Sequence, residues 1–142
     1  MNRLNRIAMP QQFANFINGE WVESREVSLN INPSKLADVI GELARADAEQ
    51  TQRAIRAAAD AFATWSLSTP QQRFDVLDRT GSALLERKEE LGRLLAREEG
   101  KTVAEGIGEV GRAGQIFKFF AGEALRIGGE IVPSVRPGLT VE

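Results

Sequence analysis

Residues 16–22 read Phe-Ile-Asn-Gly-Glu-Trp-Val and predict a β-hairpin. Asn18 and Gly19 form the turn, because an Asn-Gly pair accepts the two positive φ angles of a type I′ turn. Apolar and aromatic residues flank this pair on both sides, as they do in the strands of a hairpin. The stretch therefore predicts β structure in the first part of the chain, whereas the later part has a different pattern.

Further short strands are predicted downstream of this hairpin. Residues 27–31 alternate apolar and polar side chains, which is typical of a half-buried strand. Asn32 and Pro33 then end this strand in a turn. Residues 39–45 predict another short extended segment.

After residue 46 the apolar spacing becomes helical, and three helix starts share one capping pattern. In each of them, Asp or Thr is followed three residues later by Gln or Glu; the starts lie at Asp47, Thr69 and Thr102. Gly100 is predicted to end a shorter helix in the left-handed conformation. The longest helix is predicted to run from Thr102 to Arg126. The sequence thus predicts a β-hairpin and short strands followed by about four helices.

Large apolar residues at three- and four-residue spacing give these helices faces that we expect to be buried. Trp21 and Trp65 are interpreted as core anchors rather than as platforms for stacking a ligand. In the first helix the expected buried face comprises Ile55, Ala58, Ala59, Phe62 and Trp65.

Composition excludes several classes of function. The 142 residues suffice for one domain, and 18 basic residues against 20 acidic ones give a net charge of -2. A nucleic-acid surface needs an excess of Lys and Arg, so we expect no nucleic-acid partner. The chain has no Cys and no His, which removes the commonest general base and the thiolate nucleophile.

Membrane insertion and secretion are also not expected. No apolar run approaches the roughly 20 residues that span a bilayer. Residues 1–12 lack the apolar core of a signal peptide and are interpreted as a polar leader. The expected location is the cytoplasm.

Gly106, Gly108 and Gly111 match the pattern G-x-G-x-x-G of dinucleotide-binding loops. That fingerprint needs a strand before it, whereas residues 91–99 predict a helix. We therefore predict no cofactor-binding residue here and interpret these glycines, with Gly114, as a thin helix face for close packing. Each of them costs ~1 kcal/mol of helix stability relative to Ala, which packing has to offset.

Read together, several phrases resemble the N-terminal part of the aldehyde dehydrogenase superfamily. The resemblance covers nearly all of residues 13–142, and residues 119–126 with 133–137 resemble most the semialdehyde-oxidising branch, such as α-ketoglutarate semialdehyde dehydrogenase. The phrases are, in order, residues 16–22, 32–33, 39–42, 57–62 with Trp65, 98–102, 119–123 and 129–133.

This resemblance implies an α/β fold with a Rossmann-type coenzyme domain, of which residues 13–142 are the mainly helical N-terminal part. It implies NAD or NADP as the cofactor of the complete enzyme, with none expected to bind this chain alone. The family's nucleophilic Cys, general-base Glu and glycine-rich cofactor turn match no residue here, so no catalytic residue is assigned. The implied partners are the remainder of the aldehyde dehydrogenase chain and further copies in a homo-oligomer.

Two peripheral sites follow from the resemblance. Some family members hold a monovalent metal cation, and its ligands match the backbone around Ile31 and the side chain of Glu98. A substrate-tunnel position on the long helix matches Arg112. From the residues alone, Glu98 is equally interpretable as a solvated charge near a helix end, and Arg112 as an ordinary surface or interhelical ion-pair residue.

The leading hypothesis is therefore the N-terminal segment of an NAD(P)-dependent aldehyde dehydrogenase, inactive alone, that self-associates or folds only marginally by itself. The alternative is a stand-alone helical interaction module derived from this region, and an independent enzyme is the third reading. The reading frame after Glu142 distinguishes the first two.

Overall fold

The computed structural model of the chain describes residues 11–142. The leader predicted for residues 1–12 lies almost wholly outside this range, and Gln12 belongs to the first described strand. The described strands are β1 (Gln12–Phe13), β2 (Asn15–Ile17), β3 (Glu20–Val22), β4 (Val27–Ile31), β5 (Val39–Ala44), β6 (Val132–Pro133) and β7 (Thr140–Val141). The described helices are α1 (Ala48–Trp65), α2 (Pro70–Glu86), α3 (Lys88–Glu99) and α4 (Val103–Ala124).

The hairpin prediction is confirmed. Strands β2 and β3 pair antiparallel, and the turn residues Asn18 and Gly19 have φ angles of 53° and 82°. Phe16 and Trp21 face one another across the pair with ring centroids 4.8 Å apart. Trp21 is nevertheless 72% exposed, so its interpretation as a core anchor is wrong for this chain.

Strands β1, β5 and β4 form a sheet in that order, with β1 parallel and β4 antiparallel to β5. The pairing of β4 with β5 slips between Asn30 and Ile31. The two strands are where the sequence places them, but the expected orientation of β4 is not found. Leu29 is 55% exposed and Ile31 38% exposed, whereas Asn30 between them is half-buried. The apolar side of β4 therefore faces away from the described part of the chain.

Three helix starts and the end of α3 lie at the capping residues that the sequence predicts. Thr69 and Thr102 each form a complete capping box with the residue three positions later. Asp47 accepts a hydrogen bond from the Gln50 backbone, but Gln50 Oε1, which would close a box by accepting from the Asp47 N–H, accepts from Asn15 Nδ2 instead. Gly100 ends α3 with a φ of 74°, as predicted.

The long helix is shorter than predicted. Helix α4 ends at Ala124 instead of Arg126. Its final turn tightens, because the Leu125 N–H donates to the Gly122 carbonyl three residues back. No described helix is both long enough and apolar enough to cross a membrane.

Helix α4 packs against both α2 and α3, and glycines lie at both crossings. A Cβ on Gly106 would lie 2.3 Å from the Gly92 carbonyl oxygen of α3, and one on Gly114 would lie 2.7 Å from the Leu85 side chain of α2. Helix α1 contacts the hairpin, but none of its residues is buried. The buried apolar residues of the described chain are few and mostly small: Ile17, Ile40, Ala96, Val110, Ala121 and Ala124.

The predicted burial of the α1 face is therefore wrong for this chain. Ile55, Phe62 and Trp65 are 56%, 68% and 50% exposed. The periodicity that marks an amphipathic helix is present, but the described residues supply no element to cover its apolar side.

Candidate functional site

The first candidate site lies where the end of β4 approaches the last turn of α3. Asn30 Nδ2 donates a 2.6 Å hydrogen bond to Glu98 Oε1, joining residues 68 positions apart. The amide orientation follows from chemistry, since an ionised carboxylate only accepts. The structure thus brings Glu98 to the strand that ends with Ile31.

A charged pair lies beside this contact. Arg97 donates two hydrogen bonds to the Asp38 carboxylate, at 2.7 and 3.2 Å. Asn32 Nδ2 donates a further bond of 3.1 Å to the same carboxylate. The hydrogen bonds from Arg97, followed by that from Asn32, lower the pKa of Asp38 from 3.8 to about 2. Asp38 is therefore ionised at any physiological pH, and the pair persists.

The turn between β4 and β5 makes a third contact with this helix end. Ser34 Oγ donates a 3.0 Å hydrogen bond to the Gly100 carbonyl. A Cβ on Gly100 would lie 2.7 Å from Ser34 Oγ and 2.9 Å from the Pro33 ring. Gly100 thus serves both the left-handed end of α3 and this close approach.

Lys101 follows at once and binds acidic side chains from two elements. Its ammonium group pairs with Glu99 of α3 and, at 2.7 Å, with Glu109 of α4. The hydrogen bond with Glu109, and then that with Glu99, raise the pKa of Lys101. Its charge is held as an ammonium between the helices, so Lys101 is unsuited to act as a base.

The second candidate position, Arg112, lies on the exposed side of α4. Within residues 11–142, no carboxylate lies within ion-pair distance of its guanidinium. Gly108 and Gly111 lie near it on the helix, and a Cβ at either position would meet no atom within 4 Å. Arg112 is therefore an exposed cation beside bare helix backbone, with all of its donors available to a ligand.

The G-x-G-x-x-G match is part of α4 and not a loop. Helix α3 precedes it, and the Gly106 N–H donates within the helix start to the Thr102 carbonyl. A phosphate-binding turn needs free backbone N–H groups, which a helix interior does not have. The close-packing interpretation is confirmed for Gly106 and Gly114, and it is wrong for Gly108 and Gly111, which meet nothing in the described chain.

An apolar groove of about 450 Å³ opens between the ends of α1, α2 and α4. Its lining is almost free of polar atoms apart from Arg73 and Glu123 at its edge. The apolar residues around it are Trp65, Val76, Leu77, Phe120, Ala124 and Ile127.

Comparison with known proteins agrees with the architecture described. The model of the aldehyde dehydrogenase family matches residues 21–141. The α-ketoglutaric semialdehyde dehydrogenase of Bacillus subtilis is 36% identical over 124 residues, which are 86% of this chain and 25% of that protein. The chain belongs to the aldehyde dehydrogenase family.

Solved structures share this fold. A betaine aldehyde dehydrogenase of Staphylococcus aureus in complex with NAD⁺ superposes with a TM-score of 0.81 at 34% identity, covering 87% of this chain and 25% of that one. An NADP-dependent enzyme of Escherichia coli gives 0.82 at 32% identity, covering 90% and 27%. The chain thus spans about a quarter of the length of the relatives that it matches.

Within this aldehyde dehydrogenase chain the two candidate sites are separate. Glu98 lies in the last turn of α3, whereas Arg112 lies nine residues beyond Val103, the first residue of α4. At the rise of an α-helix, this offset corresponds to ~14 Å along the axis.

Sequence reasoning missed Asn30, Asp38 and Arg97, which make the contacts around Glu98. A signal existed for Asn30, because Asn is uncommon inside strands. No local signal existed for the other pair, since its partners are 59 residues apart.

Proposed function

We propose that this chain is the N-terminal segment of an NAD(P)-dependent aldehyde dehydrogenase that oxidises an aldehyde, of the semialdehyde class, to a carboxylate. The observation that carries the proposal is the family match over residues 21–141, together with a length of about a quarter of the relatives. The chain has no Cys and no His, so it offers no thiolate to attack a carbonyl. Its role is to support the rest of the enzyme rather than to perform the chemistry.

The cofactor of the complete enzyme is NAD or NADP, and this chain alone binds neither. The similar enzymes that bind these nucleotides support the first part of this statement. The α4 backbone amides that carry the glycine motif are used within the helix, which supports the second. The enzyme is cytoplasmic, and its partners are the remainder of the aldehyde dehydrogenase chain and further copies in a homo-oligomer. Exposed apolar faces on α1 and around the groove supply the area for such contacts.

A monovalent cation binds between Glu98 and the backbone around Ile31. Asn30 uses its side-chain N–H to bind Glu98 Oε1, and no described residue donates a hydrogen bond to the Asn30 side-chain carbonyl oxygen or to Glu98 Oε2. Carboxylate and carbonyl oxygens are the donors that hard cations prefer. The residues present therefore fit such an ion, whose role here is to stabilise the join between the sheet and α3.

Arg112 recognises the distal carboxylate of a semialdehyde substrate in the complete enzyme. Its guanidinium is exposed and free of carboxylate partners in the described chain, so both of its parallel donors can bind one carboxylate. The similarity to α-ketoglutaric semialdehyde dehydrogenase supports this class of substrate.

The function is tested on the complete reading frame. The sequence after Glu142 is determined, and the whole protein is expressed and assayed for NAD⁺ or NADP⁺ reduction with α-ketoglutarate semialdehyde and with betaine aldehyde. We expect turnover that depends on a downstream Cys and favours the semialdehyde. A frame that ends without such a Cys, or a purified protein that reduces neither nucleotide, contradicts the proposal.

The role of Arg112 is tested by Arg112→Met in that protein. We expect KM for the dicarboxylic semialdehyde to rise roughly 10- to 100-fold, because one charge-assisted pair with the substrate is lost. KM for betaine aldehyde should change little. Gln115→Met on the same exposed side of α4 is the matched control and is expected to leave both values unchanged. An equal loss for both substrates in Arg112→Met would remove Arg112 from substrate recognition.

A further inference from the structure

The end of α3 is attached to the β4–β5 hairpin by contacts from its last turn and from Gly100, the residue that caps it. Arg97 binds Asp38, Glu98 binds Asn30, and the Gly100 carbonyl binds Ser34. We name these three contacts the clasp. Packing between this sheet and the helices is sparse, since the residues on the apolar side of β4 are exposed. The clasp therefore sets the distance between β4 and α3.

The cation site proposed above has ligands on both sides of this join. Glu98 belongs to α3, and Ile31 ends β4 at the point where its pairing with β5 slips. Neither element carries a complete set of oxygen ligands by itself. The site exists only while the two elements are held together.

Within the clasp, the Asp38–Arg97 pair is the contact best suited to hold them. It consists of two hydrogen bonds between charged groups, and Asn32 fixes the carboxylate from the hairpin side. Arg97 directly precedes Glu98 in the chain, and Asn32 directly follows Ile31. The pair thus anchors the immediate neighbours of both candidate ligands without using Glu98 Oε2 or the Asn30 carbonyl oxygen, which would be available to hold the ion.

We propose that the Asp38–Arg97 pair positions the cation site, by holding the Glu98 carboxylate opposite the end of β4. The inference rests on the cation site of the proposed function, and it adds residues that do not touch the ion. Loss of the pair leaves every ligand in the chain but lets the two elements separate, so cation binding weakens while Glu98 is intact.

The test measures hydrogen exchange of the β5 backbone amides in the complete protein, in potassium chloride and in choline chloride at the same ionic strength. Choline is too large to take the place of a coordinated ion, so the ratio of the two exchange rates reports cation binding. A general weakening of the fold raises exchange in both salts and leaves this ratio unchanged.

We expect wild type to exchange about two- to tenfold more slowly in potassium chloride, as linkage to a bound ion requires. Glu98→Gln should abolish the difference, and Asp38→Asn and Arg97→Met should each reduce it by at least half. Glu26→Gln is the matched control, because it removes the exposed ion pair with Arg45 in the same sheet without touching α3. It should retain the wild-type ratio.

Two results distinguish a failure of the proposed cation site from a failure of the positioning role of the Asp38–Arg97 pair. A wild-type chain with equal exchange in both salts overturns the cation site itself. A wild-type difference that Glu98→Gln abolishes but Asp38→Asn and Arg97→Met leave at full size keeps the cation site and overturns the positioning role of the pair.

Discussion

Two glycines of α4 that lie two residues apart are expected to respond in opposite directions to the same substitution. Gly106→Ala places a methyl group 2.3 Å from the Gly92 carbonyl oxygen and 3.3 Å from the Ala96 nitrogen, and both of these are backbone atoms. Gly108→Ala places the same group in open space. The two variants change helix propensity equally, so the difference between them measures the packing of α4 against α3.

The magnitudes follow from two opposing effects. Replacing Gly by Ala inside a helix stabilises it by ~1 kcal/mol, so Gly108→Ala should raise the free energy of unfolding by about that amount. At Gly106 the same gain is opposed by overpacking against backbone, which costs ~1–3 kcal/mol and here falls at the upper end, because backbone cannot rotate away. Gly106→Ala should therefore be less stable than wild type by about 2 kcal/mol. The gap of about 3 kcal/mol between the variants corresponds to roughly 10 °C in Tm for a chain of this size.

Urea unfolding followed by far-ultraviolet circular dichroism measures both variants in the 142-residue chain. Gly111→Ala, also in open space, provides a second comparison that should behave like Gly108→Ala. A stabilised Gly106→Ala, or equal shifts of the same sign at Gly106 and Gly108, would refute the close crossing of α3 and α4.

Three further predictions concern the whole chain and its charged pair. The 142-residue chain should not oxidise aldehydes with NAD⁺ or NADP⁺, because it has no Cys to act as nucleophile; steady-state turnover that survives repurification would contradict this. The isolated chain should self-associate, since Phe62, Trp65 and Phe120 are exposed by half or more; sedimentation equilibrium that shows a monomer at all concentrations would count against it. Because the pKa of Asp38 is lowered from 3.8 to about 2, its stabilising contribution is complete above pH 4 and is lost as the pH falls towards 2. The difference in free energy of unfolding between wild type and Asp38→Asn should therefore shrink over that interval. Acid unfolding curves measure it, and a difference that stays constant would show that the pKa of Asp38 is the same in the folded and the unfolded chain.

Local patterns in the sequence predicted the elements well, because the interactions that define them are local. The Asn18-Gly19 turn and the capping boxes at Thr69 and Thr102 each depend on residues within a few positions of one another. Of the three predicted capping boxes, only the one at Asp47 is incomplete, because Gln50 Oε1 accepts from Asn15 of strand β2 instead. Such competition between a local and a tertiary donor leaves no trace in the local pattern.

Burial was predicted poorly for a physical reason. An amphipathic pattern shows that a face of a helix needs cover, but not which segment supplies it. The apolar sides of α1 and β4 have the pattern of buried faces, yet Phe62 and Leu29 are exposed in this chain. In the candidate site, Glu98 and Ile31 came from resemblance alone, and their surroundings at Asn30 and Asp38 depended on contacts between distant residues.

The arrangement of α2, α3 and α4 has a consequence for how the polypeptide acquires its structure during synthesis. Each of these helices follows the previous one directly, and α4 packs against both of its predecessors. Contacts of this kind close short loops, so their entropy cost is low and their formation is fast compared with translation. The three helices can therefore assemble on the ribosome as soon as α4 has emerged. Helix α1 emerges earlier but has little to pack against, and its apolar side is the surface on which we expect a nascent-chain chaperone to act.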